Sequence, residues 1–98
     1  MPRIHEANIT KNILKYLNSL PECRAIKFHS GPYTGAGEPD IIGCLKGRSL
    51  HIEVKAPGGK VTAIQVTRLA DWHHAGAITG ICYSVQDVQE ILLKEGLI

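Results

Sequence analysis

Asp40, Glu53 and Lys55 are residues whose types and spacing could do chemistry. They fall in two segments, 40–45 and 48–56, whose β-branched and apolar residues predict the two strands of a β-hairpin. Because side chains alternate between the faces of a strand, Lys55 shares a face with Glu53. If Asp40 and Glu53 lie opposite each other in the sheet, their carboxylates repel. The two acids then need a compensating cation, either Lys55 or a bound metal.

The register of the hairpin follows from its turn. Lys46-Gly47 fits a two-residue turn, which makes Leu45 face Arg48. Counting back along both strands places Asp40 opposite Glu53, with Cβ atoms roughly 5 Å apart. Such a pair suits a hard divalent cation such as Mg²⁺, which would polarise a phosphodiester and activate a water. The alternative is a solvated strand face carrying a weak surface ion pair.

The size and composition of the chain restrict its class. Its 98 residues predict one domain over 1–98, and its formal charge of +2 does not by itself identify a nucleic-acid-binding protein. Cys23, Cys44 and Cys82 are widely spaced in apolar surroundings, which predicts buried, reduced thiols in the cytoplasm of a prokaryote or a virus-infected cell. No segment has the apolar length of a signal core or a membrane span, so no membrane association is expected.

The segments around the hairpin alternate between helical and strand periodicity. In chain order they are a helix over about 6–20, a strand over 23–29, a turn-rich loop over 30–37, the hairpin, a helix over about 62–74, a strand over 77–83 and a helix capped by Ser84. The third strand, the helix and the fourth strand form a βαβ unit, which pairs its strands in parallel. We therefore predict an α/β fold, αβββαβ plus a C-terminal helix, with a mixed four-stranded sheet and flanking helices.

Glu6 and Gln65 lie in the first turns of two predicted helices. Glu6 belongs to the inward face that contains Ile9, where it could stabilise the helix dipole or complete a metal site through water or a second ion. Gln65 fits a capping box with Thr62.

Four residues are candidates for nucleic-acid contacts. Lys60 and Arg68 flank the first turn of the second predicted helix and would contact phosphates. Tyr33 in the loop could stack on a base or sugar, with a merely mobile loop as the alternative. Lys27 is the fourth candidate, on the first strand. Trp72 is expected in the core or a dimer interface rather than as a base platform.

At these residues the sequence resembles a known nuclease superfamily. Pro39-Asp40 followed by Glu53-Val54-Lys55 is similar to the PD-(D/E)xK motif. The surrounding residues resemble the VRR-NUC (virus-type replication-repair nuclease) family over most of the chain, from Glu6 to about Tyr83. They are Glu6, Glu38-Pro39-Asp40, Ile52 to Gly59, and Gln65.

The resemblance implies a restriction-endonuclease-like core and a metal-dependent DNA endonuclease without a small-molecule cofactor. Asp40, Glu53 and the Val54 carbonyl would hold Mg²⁺, with Mn²⁺ as the alternative ion. Lys55 would position or deprotonate the attacking water. The family also has a Glu at the position of Glu6, and a Gln at that of Gln65 which supports the metal-bound carboxylate.

Small stand-alone proteins of that family are dimeric junction-cutting enzymes, so we expect a homodimer that acts on branched DNA, a four-way (Holliday) junction above all. Two identical sites would match two equivalent strands. Open alternatives are an archaeal-type Holliday junction resolvase, a flap nuclease and a catalytically silent nucleic-acid-binding module. The residues that could form a core or an interface are Leu69, Trp72, Ile91, Leu92, Leu97 and Ile98.

Overall fold

A four-stranded sheet and three helices make up the chain in the computed structural model, which describes residues 5–29, 31 and 33–98. The strands lie in the order β1-β2-β3-β4, antiparallel between β1, β2 and β3 and parallel between β3 and β4. The predicted mixed α/β sheet is confirmed. The elements are α1 (Glu6–Ser19), β1 (Cys23–Lys27), β2 (Ile41–Leu45), β3 (Arg48–Val54), α2 (Ala63–His74), β4 (Ile78–Cys82) and α3 (Val85–Lys94).

The β2–β3 hairpin has the predicted turn and register. Lys46 and Gly47 have φ angles of 50° and 83°, as a two-residue primed turn requires, and Leu45 faces Arg48. β2 begins at Ile41, one residue later than predicted, and pairs it with Ile52. Asp40 therefore lies just before the strand, and extending the observed register by one residue places it opposite Glu53.

The two faces of the sheet are covered by different helices. Leu50, Ile52 and Val54 of β3 belong to one apolar core with residues of α1 and α3. His51 and Glu53, which alternate with them, face α2 and are also buried. β3 is thus buried on both faces, and any chemistry on its α2 face takes place in a partly dry environment.

α1 packs through Ile9, Ile13 and Leu17, which are buried as their spacing predicts. The Asn18 side chain holds the helix against β1 by bonding both the N–H and the C=O of Ala25 at 2.9 Å. Glu6 is exposed, contrary to the prediction that it lies on the buried stripe, because the apolar core begins only at Ile9.

The strands are shorter than predicted. β1 ends at Lys27 rather than at residue 29. The pairing stops after the Phe28 N–H donates to the Asp40 carbonyl, because the next residue facing β1 is Pro39, which has no N–H. β3 ends at Val54, and the following turn is closed by a bond from Gly59 N–H to the Ala56 carbonyl. Residues 31 and 33–37 form no helix or strand, as predicted for the loop, whereas Ser30 and Pro32 lie outside the described residues.

The prediction of three buried thiols is wrong for Cys44. Cys82 is buried, which raises the pKa of its thiol to about 12, and Cys23 is partly buried. Cys44 is exposed because its face of β2 is not covered by α2, which packs against β3 and β4. Across residues 5–29, 31 and 33–98, no helix combines the length and hydropathy needed to cross a membrane.

The structure assigns several apolar residues that the sequence analysis could not divide between the core and an interface. Leu69 and Leu92 are buried within the chain and are unavailable to a partner. Ile98 is exposed, and Ile91 and Leu97 pack partly buried against the core.

Candidate metal centre

Three carboxylates from three parts of the chain converge at one end of the sheet. They are Glu6 at the start of α1, Asp40 just before β2, and Glu53 near the end of β3. One oxygen of each lies within 4.8 Å of the others. The structure thus brings together the acids that the sequence singled out.

Asp40 is fixed by hydrogen bonds to both neighbouring strands. Its Oδ2 accepts a hydrogen bond from the Val54 N–H at 2.9 Å, and its backbone carbonyl accepts one from the Phe28 N–H at 2.7 Å. Pro39, which is buried, restricts the backbone immediately before it. The carboxylate is therefore preorganised beside the other two acids.

Glu53 is the most buried of the three acids, with 1% of its surface exposed. Its Oε2 accepts a hydrogen bond from Gln65 Nε2 at 3.3 Å, but Oε1 is buried without a partner among the described residues. Burial raises the pKa of Glu53 to about 8; the neighbouring Asp40 carboxylate and the charge of Glu6 add to this rise, and Lys55 opposes it.

Lys55 supplies the cation closest to Glu53. Its Nζ lies 3.9 Å from Glu53 Oε2, and only 12% of its side chain is exposed. Lys55 and Glu53 therefore point to the same side of the sheet, as their spacing predicts. Counting only the residues that the structure describes, one ammonium lies beside three carboxylates, which leaves an excess of negative charge when all are ionised.

Gln65 combines two functions that the sequence analysis treated separately. Its N–H donates to Thr62 Oγ1 at 3.3 Å and its Oε1 accepts from the Thr62 N–H at 3.0 Å, which completes the predicted capping box. Its Nε2 remains available and donates to Glu53. The cap therefore orients the amide that holds the buried carboxylate.

The donor set fits a hard divalent cation. Carboxylate oxygens are preferred ligands of Mg²⁺ and Mn²⁺, and Glu53 Oε1 has no hydrogen-bond partner among the residues that the structure describes. Asp40 and Glu53 would hold the ion, and Glu6 lies close enough to contribute through water or at a second ion. Val54 lies beside the cluster, where its N–H already contacts Asp40, and the role of its carbonyl stays a prediction.

The four predicted nucleic-acid contacts lie outside this cluster. Lys27 and Lys60 are exposed, and Tyr33 has 99% of its surface exposed. Arg68 is engaged by acids, with Nε 4.0 Å from Glu38 and Nη1 3.2 Å from Asp71. Within the described part of the chain, no hydrogen bond or ion pair links these four residues to the carboxylates of the cluster, Glu6, Asp40 and Glu53.

Sequence reasoning did not identify the neighbouring ring pair of His51 and Trp72. The rings stack with centroids 3.6 Å apart and planes inclined by 15°. Burial lowers the pKa of His51, while the charge of Glu38 opposes this shift. The sequence spacing could have indicated this pair, since His51 shares its strand face with Glu53 and Trp72 lies two helical turns after Gln65.

Comparison with known proteins supports the fold. No protein-family model and no curated protein matches the chain. One solved structure described as "VRR_NUC domain" superposes with a TM-score of 0.71 at 21% identity, covering 91% of this chain and 94% of its own. Another, "VRR_NUC domain protein", gives 0.70 at 17% identity, covering 99% and 90%. The resemblance found in the sequence is therefore confirmed at the level of the fold.

Proposed function

We propose that this chain, which has the VRR_NUC fold, is a divalent-metal-dependent nuclease that hydrolyses phosphodiester bonds in DNA. The observation that carries the proposal is the convergence of Glu6, Asp40 and Glu53 within 4.8 Å, beside the largely buried Lys55. Glu53 is buried, and its Oε1 has no hydrogen-bond partner among the described residues, an arrangement that destabilises a fold and that a metal-binding function would account for.

The residues of the chain would divide the work by position. A bound Mg²⁺ or Mn²⁺ would supply Lewis-acid polarisation of the scissile phosphate and a lowered pKa for bound water. Asp40 and Glu53, with the Val54 carbonyl, would hold the ion, and Glu6 would act through water or a second ion. Lys55 orients the attacking water or accepts its proton, and Gln65 holds Glu53 in place.

The preferred substrate in this proposal is branched DNA, with the four-way junction first and flaps as the alternative. A single site of this kind cuts one strand, so a paired cut on the opposite strand needs a second site. A two-fold symmetric homodimer would present identical sites to two equivalent strands.

We propose that the second copy binds along one edge of the sheet. The β1 edge carries Arg24 and Lys27, both exposed, and charges at an edge oppose strand pairing between molecules. The β4 edge, Ile78–Cys82, carries no charged residue. Of the two edges, β4 is the one that lacks this protection.

The surface beside β4 is also complementary to itself. An open depression there has an apolar floor of Ile81 and Ile91 and a rim of Asp87, Glu90 and Lys94. A two-fold axis perpendicular to α3 at this edge would set the α3 helices antiparallel, so that Lys94 of one copy could lie near Glu90 of the other. We place the dimer interface along β4 and α3.

Cleavage assays with defined substrates test the proposal. Linear, flapped, splayed and four-way DNA are incubated with the protein in Mg²⁺ or Mn²⁺ and, in parallel, in EDTA, and the cuts are mapped. We expect metal-dependent cleavage with paired nicks on the four-way junction. Binding without cleavage in either metal would favour the catalytically silent module.

A further inference from the structure

A cavity adjoins the metal centre on the same face of the sheet. Its volume is about 240 Å³, and its walls are the side chains of Phe28, Glu38, Pro39, Ile42, His51 and Trp72. The walls combine flat aromatic rings and apolar groups with two polar side chains. That composition suits a small flat ligand with hydrogen-bonding edges.

The location of the cavity relates it to the cluster of carboxylates. On β3, His51 lies two residues before Glu53 on the same face, a distance of about 7 Å along the strand. On β2, Ile42 is likewise two residues after Asp40. The cavity therefore begins two residues along each strand from the carboxylates. This distance is comparable to the distance between the phosphate and the base of one nucleotide.

His51 carries an unused hydrogen-bonding atom at this position. Its Nε2 bonds Ser49 Oγ at 2.6 Å, whereas its Nδ1 is buried without a partner among residues 5–29, 31 and 33–98. The whole residue is 4% exposed. A buried polar atom without a partner costs free energy, which a donor or acceptor on a ligand would recover.

From these observations we propose that the cavity receives the nucleobase adjacent to the scissile phosphate, stacked against Trp72 and Phe28 and hydrogen-bonded by His51 or Glu38. The inference rests on the proposed nuclease function, because that function places the phosphate at the carboxylates. It also gives Trp72 the base-contacting role that the sequence analysis did not favour. An extruded or unpaired base fits such a pocket, and bases beside a branch point are the easiest to unpair.

Trp72 is the only tryptophan of the chain and reports directly on the cavity. Its fluorescence is recorded while each of the four deoxynucleoside 5′-monophosphates, or 2-deoxyribose 5-phosphate as the base-free control, is added in Mg²⁺. We expect saturable quenching by the nucleotides at concentrations about tenfold lower than any effect of the sugar phosphate. Equal responses to both, or none, would overturn the inference.

Two variants and a matched control assign the effect to the cavity. Phe28→Ala removes an aromatic wall and Ile42→Phe fills the space, so both should weaken nucleotide binding while melting cooperatively. Ile26→Ala changes an exposed apolar residue of β1 that lines the neighbouring depression instead, and this variant should bind nucleotides like the wild type. Wild-type binding by both cavity variants would overturn the inference.

Cleavage of DNA separates this inference from the proposed function. An abasic residue next to the cut should lower kcat/KM for the wild type about tenfold, and it should matter less for Phe28→Ala. Cleavage without base-specific quenching overturns the cavity alone, whereas base-specific quenching without cleavage supports the cavity and overturns the nuclease. Trp72 emission that changes on dilution of the protein but not with nucleotide would assign the cavity to a second copy and overturn the inference.

Discussion

Glu53 concentrates the electrostatic cost of the site in one side chain. Its folded-state pKa of about 8 lies above the ordinary value of 4.5, chiefly because of burial and then because of Asp40 and Glu6. The fold therefore favours the protonated form, whereas a bound cation would favour the ionised form. Metal binding at this cluster is accordingly coupled to proton release.

The stability of the metal-free protein should fall as pH rises from about 4.5 to about 8. Over this window the unfolded chain has lost the Glu53 proton while the folded chain retains it, so the unfolded state is favoured progressively. Glu53→Gln should flatten the dependence, and Glu22→Gln, at an exposed position, should not. Urea unfolding in EDTA at several pH values measures this, and identical slopes in both variants would contradict the shift.

Lys55 is either a base or a fixed charge, and arginine distinguishes the two. Arginine keeps the positive charge but cannot give up its proton. If Lys55 accepts the proton of water, Lys55→Arg should slow cleavage about 100-fold or more and displace the low-pH limb of the rate profile. A pH profile and rate like those of the wild type would show that Lys55 acts only through its charge.

At the scale of elements, two glycines allow the sheet to pack closely. A Cβ at Gly43 would collide with the backbone carbonyl of Arg24 on β1, which cannot move independently of its strand. At Gly80 it would meet the Cδ1 end of Ile91, which can rotate. Close packing of this kind is expected where a strand has no room for a side chain.

We expect Gly43→Ala to destabilise the fold by about 1–3 kcal/mol and Gly80→Ala by less. Chemical denaturation of both variants measures the difference, and the cleavage rate per folded molecule should be unchanged in Gly43→Ala. A larger loss for Gly80→Ala would mean that Ile91, not the β1 backbone, is the rigid neighbour.

The elements were predictable to the extent that local pattern determines them. The turn at Lys46-Gly47 and the spacing of Ile9, Ile13 and Leu17 each predicted the observed structure. The exposure of Cys44 was not predictable, because it depends on which strands α2 covers. The stacking of His51 on Trp72 likewise depends on tertiary docking.

The same distinction applies to the site. Asp40 and Glu53 could be placed opposite each other because a hairpin register is local. The double function of Gln65 required the path of α2 over β3, and the exposure of Glu6 required knowing where the core ends. Long-range packing therefore limited what could be predicted about both residues.

For the whole molecule, the predicted dimer depends on charges along α3. Lys94→Glu should weaken self-association about tenfold by placing like charges together, and adding Glu90→Lys should restore it. Sedimentation velocity at micromolar concentration, with and without four-way DNA, measures both. A wild-type monomer under these conditions would contradict the dimer.

Cleavage by Glu53→Gln tests the central claim, that the carboxylate cluster cuts DNA, most directly. The rate is measured in Mg²⁺ on the substrate that the wild type cuts best, with Glu22→Gln as the matched control and circular dichroism as the check of folding. We predict that Glu53→Gln is folded and cuts no faster than the wild type in EDTA, while Glu22→Gln cuts normally. Cleavage by Glu53→Gln at the wild-type rate would contradict the claim.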